Sequence, residues 1–228
     1  MPSSSSFPSS YDAVLFDCDG VLVDSEPITH RVLRDRLEAS GWSLTPEECL
    51  AIFLGKAVRS EAARIEAETG QPLTDAWMAD FYARRNAALQ AELGPIPGAP
   101  DAVRAVHARL GGRIACASGA DRFKVELQLA KVGLTPFFQG RVFSGHEMPR
   151  TKPAPDVYLA AAAALGVAPV RCLVVEDSVT GVQAGVAAGA TVVGYSPAPV
   201  GHGSAQALRA AGAVHVMVHM AELPELLG

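Results

Sequence analysis

Asp17 and Asp19, two carboxylates spaced i, i+2, follow a short apolar run at 13–16, and Gly20 then lets the chain turn. Two acids so close repel each other unless a cation lies between them or one keeps a proton. Hard oxygen ligands of this kind suit Mg²⁺, and such a pair can divide labour, one attacking phosphorus while the other moves a proton. Three further segments carry complementary groups. Ser118-Gly119-Ala120 follows the apolar run 114–117, and a hydroxyl and glycine ahead of a helix make an anion cradle. Lys152 precedes a helix start between stiffening prolines and offers a compact cation for a phosphate. Glu176-Asp177-Ser178 follows the run 173–175, adding a third and fourth carboxylate for a metal site. Each has a plain structural alternative: a turn acid, an N-cap serine, a solvated lysine, acids at a helix dipole. Together their types match phosphoryl transfer: nucleophile, metal acids, phosphate cation and hydroxyl.

The elements that must place these groups alternate. After the strand at 13–16, residues 25–93 hold several helical patterns and no clear strand: 29–39, a capping-box start at Thr45-Pro46-Glu47-Glu48, then 57–69 and 74–93. Residues 94–98, Gly-Pro-Ile-Pro-Gly, read as a hinge. Helices then alternate with strands at 113–117, 141–143, 171–175, 191–194 and 214–218. Alternation of this kind predicts parallel pairing in a doubly wound, Rossmann-like α/β sheet, whose ligands gather beyond the carboxyl ends of its strands. The expected organisation is a tail at 1–10, an α/β core at 11–24 and 98–228, and an inserted helical domain at 25–97. Gly181, Gly185 and Gly189, spaced by four, predict a smooth helix face for close packing on the sheet.

Composition narrows the class. About half the residues are apolar and the net charge is −5, without a run of Lys or Arg, so neither nucleic acid nor an anionic membrane is the expected partner. No apolar stretch is long enough for a bilayer span, and the Ser/Pro-rich start lacks the order of a signal peptide. Four scattered cysteines with no C-x-x-C pair predict free thiols in a reducing, cytoplasmic setting. Cys18 in particular should be unreactive, because flanking acids raise its pKa. No long exposed heptad or apolar stripe stands out, so the expectation is a monomer or weak dimer.

The order of these four segments resembles the haloacid dehalogenase superfamily, in its capped phosphatase and β-phosphoglucomutase-like branch. Asp17-Cys18-Asp19-Gly20-Val21 is similar to the first motif, which implies Asp17 as nucleophile and Asp19 as acid/base. Ser118 and Lys152 match the second and third motifs, implying phosphate binding, and Glu176-Asp177 match the fourth. The implied cofactor is Mg²⁺, held by Asp17, Asp19 (through its backbone carbonyl), Glu176 and Asp177, with Asp177 rather than Glu176 the direct ligand from the fourth motif. The helical insert resembles the branch's small cap, where Lys56 (after Gly55) and Arg59 are candidates for meeting an anionic substrate, with Arg84 and Arg85 behind them. The resemblance implies a phosphoric monoester hydrolase for small phosphorylated metabolites such as sugar phosphates. Its alternative is a β-phosphoglucomutase-type phosphotransferase. Asp19 separates the chain from the dehalogenase branch, which lacks an aspartate there.

Overall fold

A computed structural model describes residues 11–53, 56–197 and 203–227. The expected tail at 1–10 and Gly55 lie outside them. By internal contacts the chain divides into two compact units, one holding residues up to Asp24 and from Gly94 onward, the other Ser25–Leu93.

The first unit is built on a six-stranded sheet, β1 (Ala13–Phe16), β2 (Ile114–Ser118), β3 (Val142–Ser144), β4 (Cys172–Glu176), β5 (Thr191–Tyr195) and β6 (His215–Met217). Every pairing is parallel and the order is β3-β2-β1-β4-β5-β6. β1, β2 and β4 are buried along their whole length. That accounts for their continuous apolar runs, because helices on both faces leave no solvent side to alternate toward. The strand order reverses direction at β1, so the crevice outside its carboxyl end is where this fold gathers ligands.

The second unit, at Ser25–Leu93, contains α1 (Glu26–Glu38), α2 (Pro46–Phe53), α3 (Ala62–Thr69) and α4 (Asp75–Glu92). Its own apolar cluster is centred on Leu33, Leu37, Trp42, Phe53, Ile65, Trp77, Met78 and Phe81. α2 starts with the reciprocal bonds of a capping box: the Thr45 N–H donates to Glu48 Oε2 at 2.8 Å, and the Glu48 N–H to Thr45 Oγ1 at 3.2 Å. The hinge segment 94–97, expected with the insert, is instead tied to the sheet unit. The Asp24 N–H donates to Gly94 O at 3.1 Å, the Ile96 N–H to Leu22 O at 3.0 Å, and Val23 bridges Pro95. Backbone pairing decides the boundary there, and composition does not reveal it.

The remaining helices flank the sheet: α5 (Ala99–Arg109), α6 (Arg122–Lys131), α7 (Thr135–Phe138), α8 (Asp156–Ala164), α9 (Val179–Ala187), α10 (Ala205–Ala211) and α11 (Leu223–Leu226). Three glycines on or after α9 turn out to do different things. A Cβ on Gly181 would run into the Glu176 carboxylate, and one on Gly185 would meet Val192 Cγ2 at 2.7 Å. Gly189 instead has φ +83° with nothing within 4 Å, so it is a turn residue and not part of the packing face. Among the described residues no helix is long and apolar enough to cross a membrane. All four cysteines are buried and free.

Candidate active site

β1 delivers Asp17 to the sheet's carboxyl edge, and β4 delivers Glu176 and Asp177 beside it, since Phe16 pairs with Val175. Asp17, Glu176 and Asp177 are all buried, with carboxylate oxygens lying within 4.8 Å of one another. Gly20, at φ +76°, takes a conformation that L side chains rarely adopt, and a Cβ there would collide with the Asp177 carboxylate. The glycine of the first segment is therefore what lets the fourth segment close on the first.

Lys152 supplies the opposing charge. Its Nζ lies 2.6 Å from Asp17 Oδ1, 2.7 Å from Glu176 Oε1, 3.0 Å from Ala117 O and 3.0 Å from the Tyr158 hydroxyl. Tyr158, fully buried on α8, donates its own hydroxyl proton to Glu176 Oε1 at 2.8 Å. The other oxygen, Glu176 Oε2, accepts from the Asp177 N–H, the Ser178 N–H and the Ser178 hydroxyl at 3.0, 3.1 and 2.9 Å. Both oxygens of Glu176 are thus committed to protein donors.

These surroundings push the carboxyls apart in acidity. Burial, reinforced by Glu176 and Asp19 and opposed by Lys152, raises Asp17 to about 7. Burial first, then Glu176 and Asp17, lifts Asp177 well above the ordinary carboxyl range. Glu176 goes the other way: burial works against its charge, but Lys152 and its hydrogen bonds outweigh that and hold it below its usual value. Lys152 also overcomes its burial, since Asp17 and Glu176 keep it firmly protonated. One lysine therefore does not neutralise three acids, and Asp17 and Asp177 are left short of positive charge. A hard divalent cation fits that shortfall, the all-oxygen donor set and the close approach that Gly20 permits.

Asp19 stands just beyond, its Oδ1 accepting from Lys124 Nζ at 2.8 Å and from Gln128 Nε2 at 2.7 Å, both on α6. Ser118 ends β2, one strand over from β1 and two residues past Cys116, the partner of Phe16. It is not the N-cap of α6. Asp121 fills that place, its side chain accepting from the Lys124 N–H, while the Ser118 hydroxyl accepts from the Ala120 N–H at 3.1 Å across Gly119. Cys18 is buried and its pKa is pushed well up, chiefly through its contact with Cys116 and by burial, which leaves the thiol inert.

The structure thus bonds Lys152 to Asp17 and Glu176 and gathers Asp177 into the same carboxylate cluster. Lys56 and Arg59 belong to the helical unit and form exposed ion pairs there, with Glu61 at 2.8 Å and Asp75 at 2.6 Å. Arg84 pairs with Asp80 at 2.9 Å. Arg85, a further candidate for meeting an anionic substrate, is buried: it bonds Asn86 and lies over the Tyr82 ring at 4.7 Å. Three neighbours of the site were invisible to motif reading. Tyr158 sits in an Ala-rich helix with no motif around it. Lys124 and Gln128 are polar, but their i, i+4 spacing, each next to an apolar residue (Val125, Leu129), puts them on the buried side of α6.

A family model described as haloacid dehalogenase-like hydrolase matches residues 11–189. The 6-phosphogluconate phosphatase of Escherichia coli K12 is 31% identical over 220 residues, covering 94% of each chain. Hexitol phosphatase B of the same organism is 33% identical over 180 residues, covering 77% of this chain and 79% of its own. Among solved structures, an HAD family hydrolase from Deinococcus radiodurans R1 with bound phosphate and sodium superposes with a TM-score of 0.79 at 35% identity, covering 96% of this chain and 99% of that one.

Proposed function

This chain belongs to the haloacid dehalogenase-like hydrolase family and is a phosphoric monoester hydrolase, and we propose that it dephosphorylates small sugar phosphates through an aspartyl-phosphate on Asp17. The observation that carries the mechanism is Lys152, bonded at once to Asp17 and Glu176 at the mouth of the sheet, with Asp177 in the same carboxylate cluster.

In the first half-reaction a carboxylate oxygen of Asp17 bonds to phosphorus, the ester P–O bond breaks, and Asp19 gives its proton to the departing alkoxide. In the second, Asp19 takes a proton from a water that attacks phosphorus, the bond to Asp17 breaks, and phosphate leaves. Lys152 and the Ser118 hydroxyl, with the backbone at Gly119, bind the non-bridging oxygens, and preorganised charge of this kind is worth most in a water-poor site. Asp17, Asp177 and the backbone carbonyl of Asp19 would hold Mg²⁺, with Glu176 in the same acidic group tied to Lys152. When bound, the ion supplies charge neutralisation for the phosphoryl group and its two aspartates.

Lys56 and Arg59 are assigned to substrate recognition, so replacing either with alanine should raise KM for the preferred substrate. The relatives above are named as phosphatases, so hydrolysis rather than isomerising phosphotransfer is the reading taken. A phosphate-release screen over phosphorylated metabolites, with and without Mg²⁺, tests it. Sugar phosphates should be turned over only with the metal, and Asp17→Asn should be silent while still folded. Turnover by that variant would end the mechanism.

A further inference from the structure

α6 turns two polar side chains inward at i, i+4. Lys124 is 8% exposed and Gln128 is 0% exposed, although residues of these types are rarely buried without a purpose. Both converge on a single atom, Asp19 Oδ1, at 2.8 and 2.7 Å. Gln128 is itself oriented, because its Oε1 accepts the Cys18 thiol at 3.4 Å and so its amide N–H₂ is directed to Asp19. The start of α6 is pinned by Asp121, whose carboxylate accepts the Lys124 N–H at 2.9 Å, which fixes where the Lys124 side chain sets out. Burying an ammonium and an amide against one oxygen costs desolvation that simple packing would not require.

We infer that Lys124 and Gln128 are positioning residues for proton transfer: by holding Oδ1 of Asp19 they set the placement of its carboxyl group for exchange with the leaving group. The inference rests on Asp19 acting as the general acid of the proposed hydrolysis. Two N–H donors on Oδ1 hold the side-chain rotamer of Asp19. The ester P–O bond breaks as the Asp19 proton passes to the leaving oxygen, and Asp19 is then the carboxylate that Lys124 faces. A short misplacement of a proton donor is costly, so the clamp should matter in proportion to how much the leaving group needs its proton.

The test is a leaving-group comparison on the full chain with Mg²⁺. The readout is kcat/KM, which reports phosphoryl transfer to Asp17 and not the later hydrolysis. Two substrates are compared: an alkyl sugar phosphate, whose alkoxide needs a proton, and p-nitrophenyl phosphate, whose phenolate does not. Lys124→Met and Gln128→Met should each lower the alkyl-to-aryl ratio of kcat/KM by about tenfold or more, and Asp19→Ala should lower it further, within the roughly 10²–10⁴-fold range of general acid catalysis. Lys124→Arg, which keeps a donor, should recover part of the ratio. Should either methionine variant fail to fold, Lys124→Arg against the other decides. If Asp19→Ala changes the ratio but the methionine variants slow both substrates equally, the clamp is only structural and the inference is overturned while the proposed hydrolysis stands. If Asp19→Ala itself leaves the ratio alone, the acid assignment fails and the inference with it.

Discussion

In the sheet unit, Lys152 meets Asp17 and Glu176 at 2.6 and 2.7 Å with the three side chains 8%, 9% and 1% exposed; in the helical unit, Arg59 meets Asp75 at the same 2.6 Å with side chains 53% and 93% exposed. The distances match but the settings do not. Exposed pairs contribute roughly 0–1 kcal/mol because water already solvates both charges. A buried pair sets a large attraction against a large desolvation cost, and removing one partner strands the other. The helical unit packs aromatics around Trp77 and Phe81 and keeps most of its charges on the surface, whereas the sheet unit buries the side chains of Asp17, Lys152, Glu176 and Asp177 together at the carboxyl edge of its sheet. Charge density at that edge goes beyond what folding requires, and this marks it as the chemical end of the molecule.

The comparison breaks or sharpens under substitution. Lys152→Met should abolish phosphate release and destabilise the fold by about 3–5 kcal/mol, the usual cost of leaving a buried partner uncompensated. Urea denaturation measures it, and a cost below about 1 kcal/mol would mean that the cluster relaxes by taking up protons. Gly181→Ala pushes a methyl into the Glu176 carboxylate and should cost about 1–3 kcal/mol and much of the activity. Gly189→Ala, strained only by its positive φ, should cost about 1 kcal/mol and spare catalysis.

A subtler effect lies in pH. With Asp17 raised to about 7, the folded metal-free protein holds a proton that the unfolded chain has lost above about pH 4. Stability from this group is therefore present at low pH and lost as pH rises from about 4 to about 7. Asp17→Asn should gain on wild type across that window in EDTA, and Mg²⁺ should reverse the trend for wild type alone. A wild-type minus variant difference that stays flat with pH would contradict the shift. The smallest effect belongs to the exposed pair: Arg59→Ala should move stability by less than about 1 kcal/mol, so a larger loss would show that surface pairing matters more here than its exposure allows.

Much of this was legible in the sequence, for physical reasons. β1 and β4 read as strands because both faces are covered, and their polar endings had to lie at the ligand edge of a parallel sheet. Asp17, Lys152, Glu176 and Asp177 could be grouped because their types fit one chemistry. What stayed hidden depends on tertiary docking. Lys124 and Gln128 have polar identities that suggest solvent, and only the seating of α6 against the loop after β1 buries them. Arg85 is covered in the same way within the helical unit, with Tyr82 beneath it. α7 is a four-residue helix, too short to leave a period. The return of the chain at residue 94 is set by backbone bonds to Leu22 and Asp24, which no side chain announces.

The central claim concerns one carboxylate, and rapid-quench mass spectrometry of the enzyme during turnover of a sugar phosphate tests it most directly. The peptide carrying Asp17 should bear a phosphoryl group that hydroxylamine removes, and the signal should vanish in Asp17→Asn. A phosphoryl group on any other residue, or full turnover with no phosphorylated enzyme while Asp17→Asn remains active, would contradict the account.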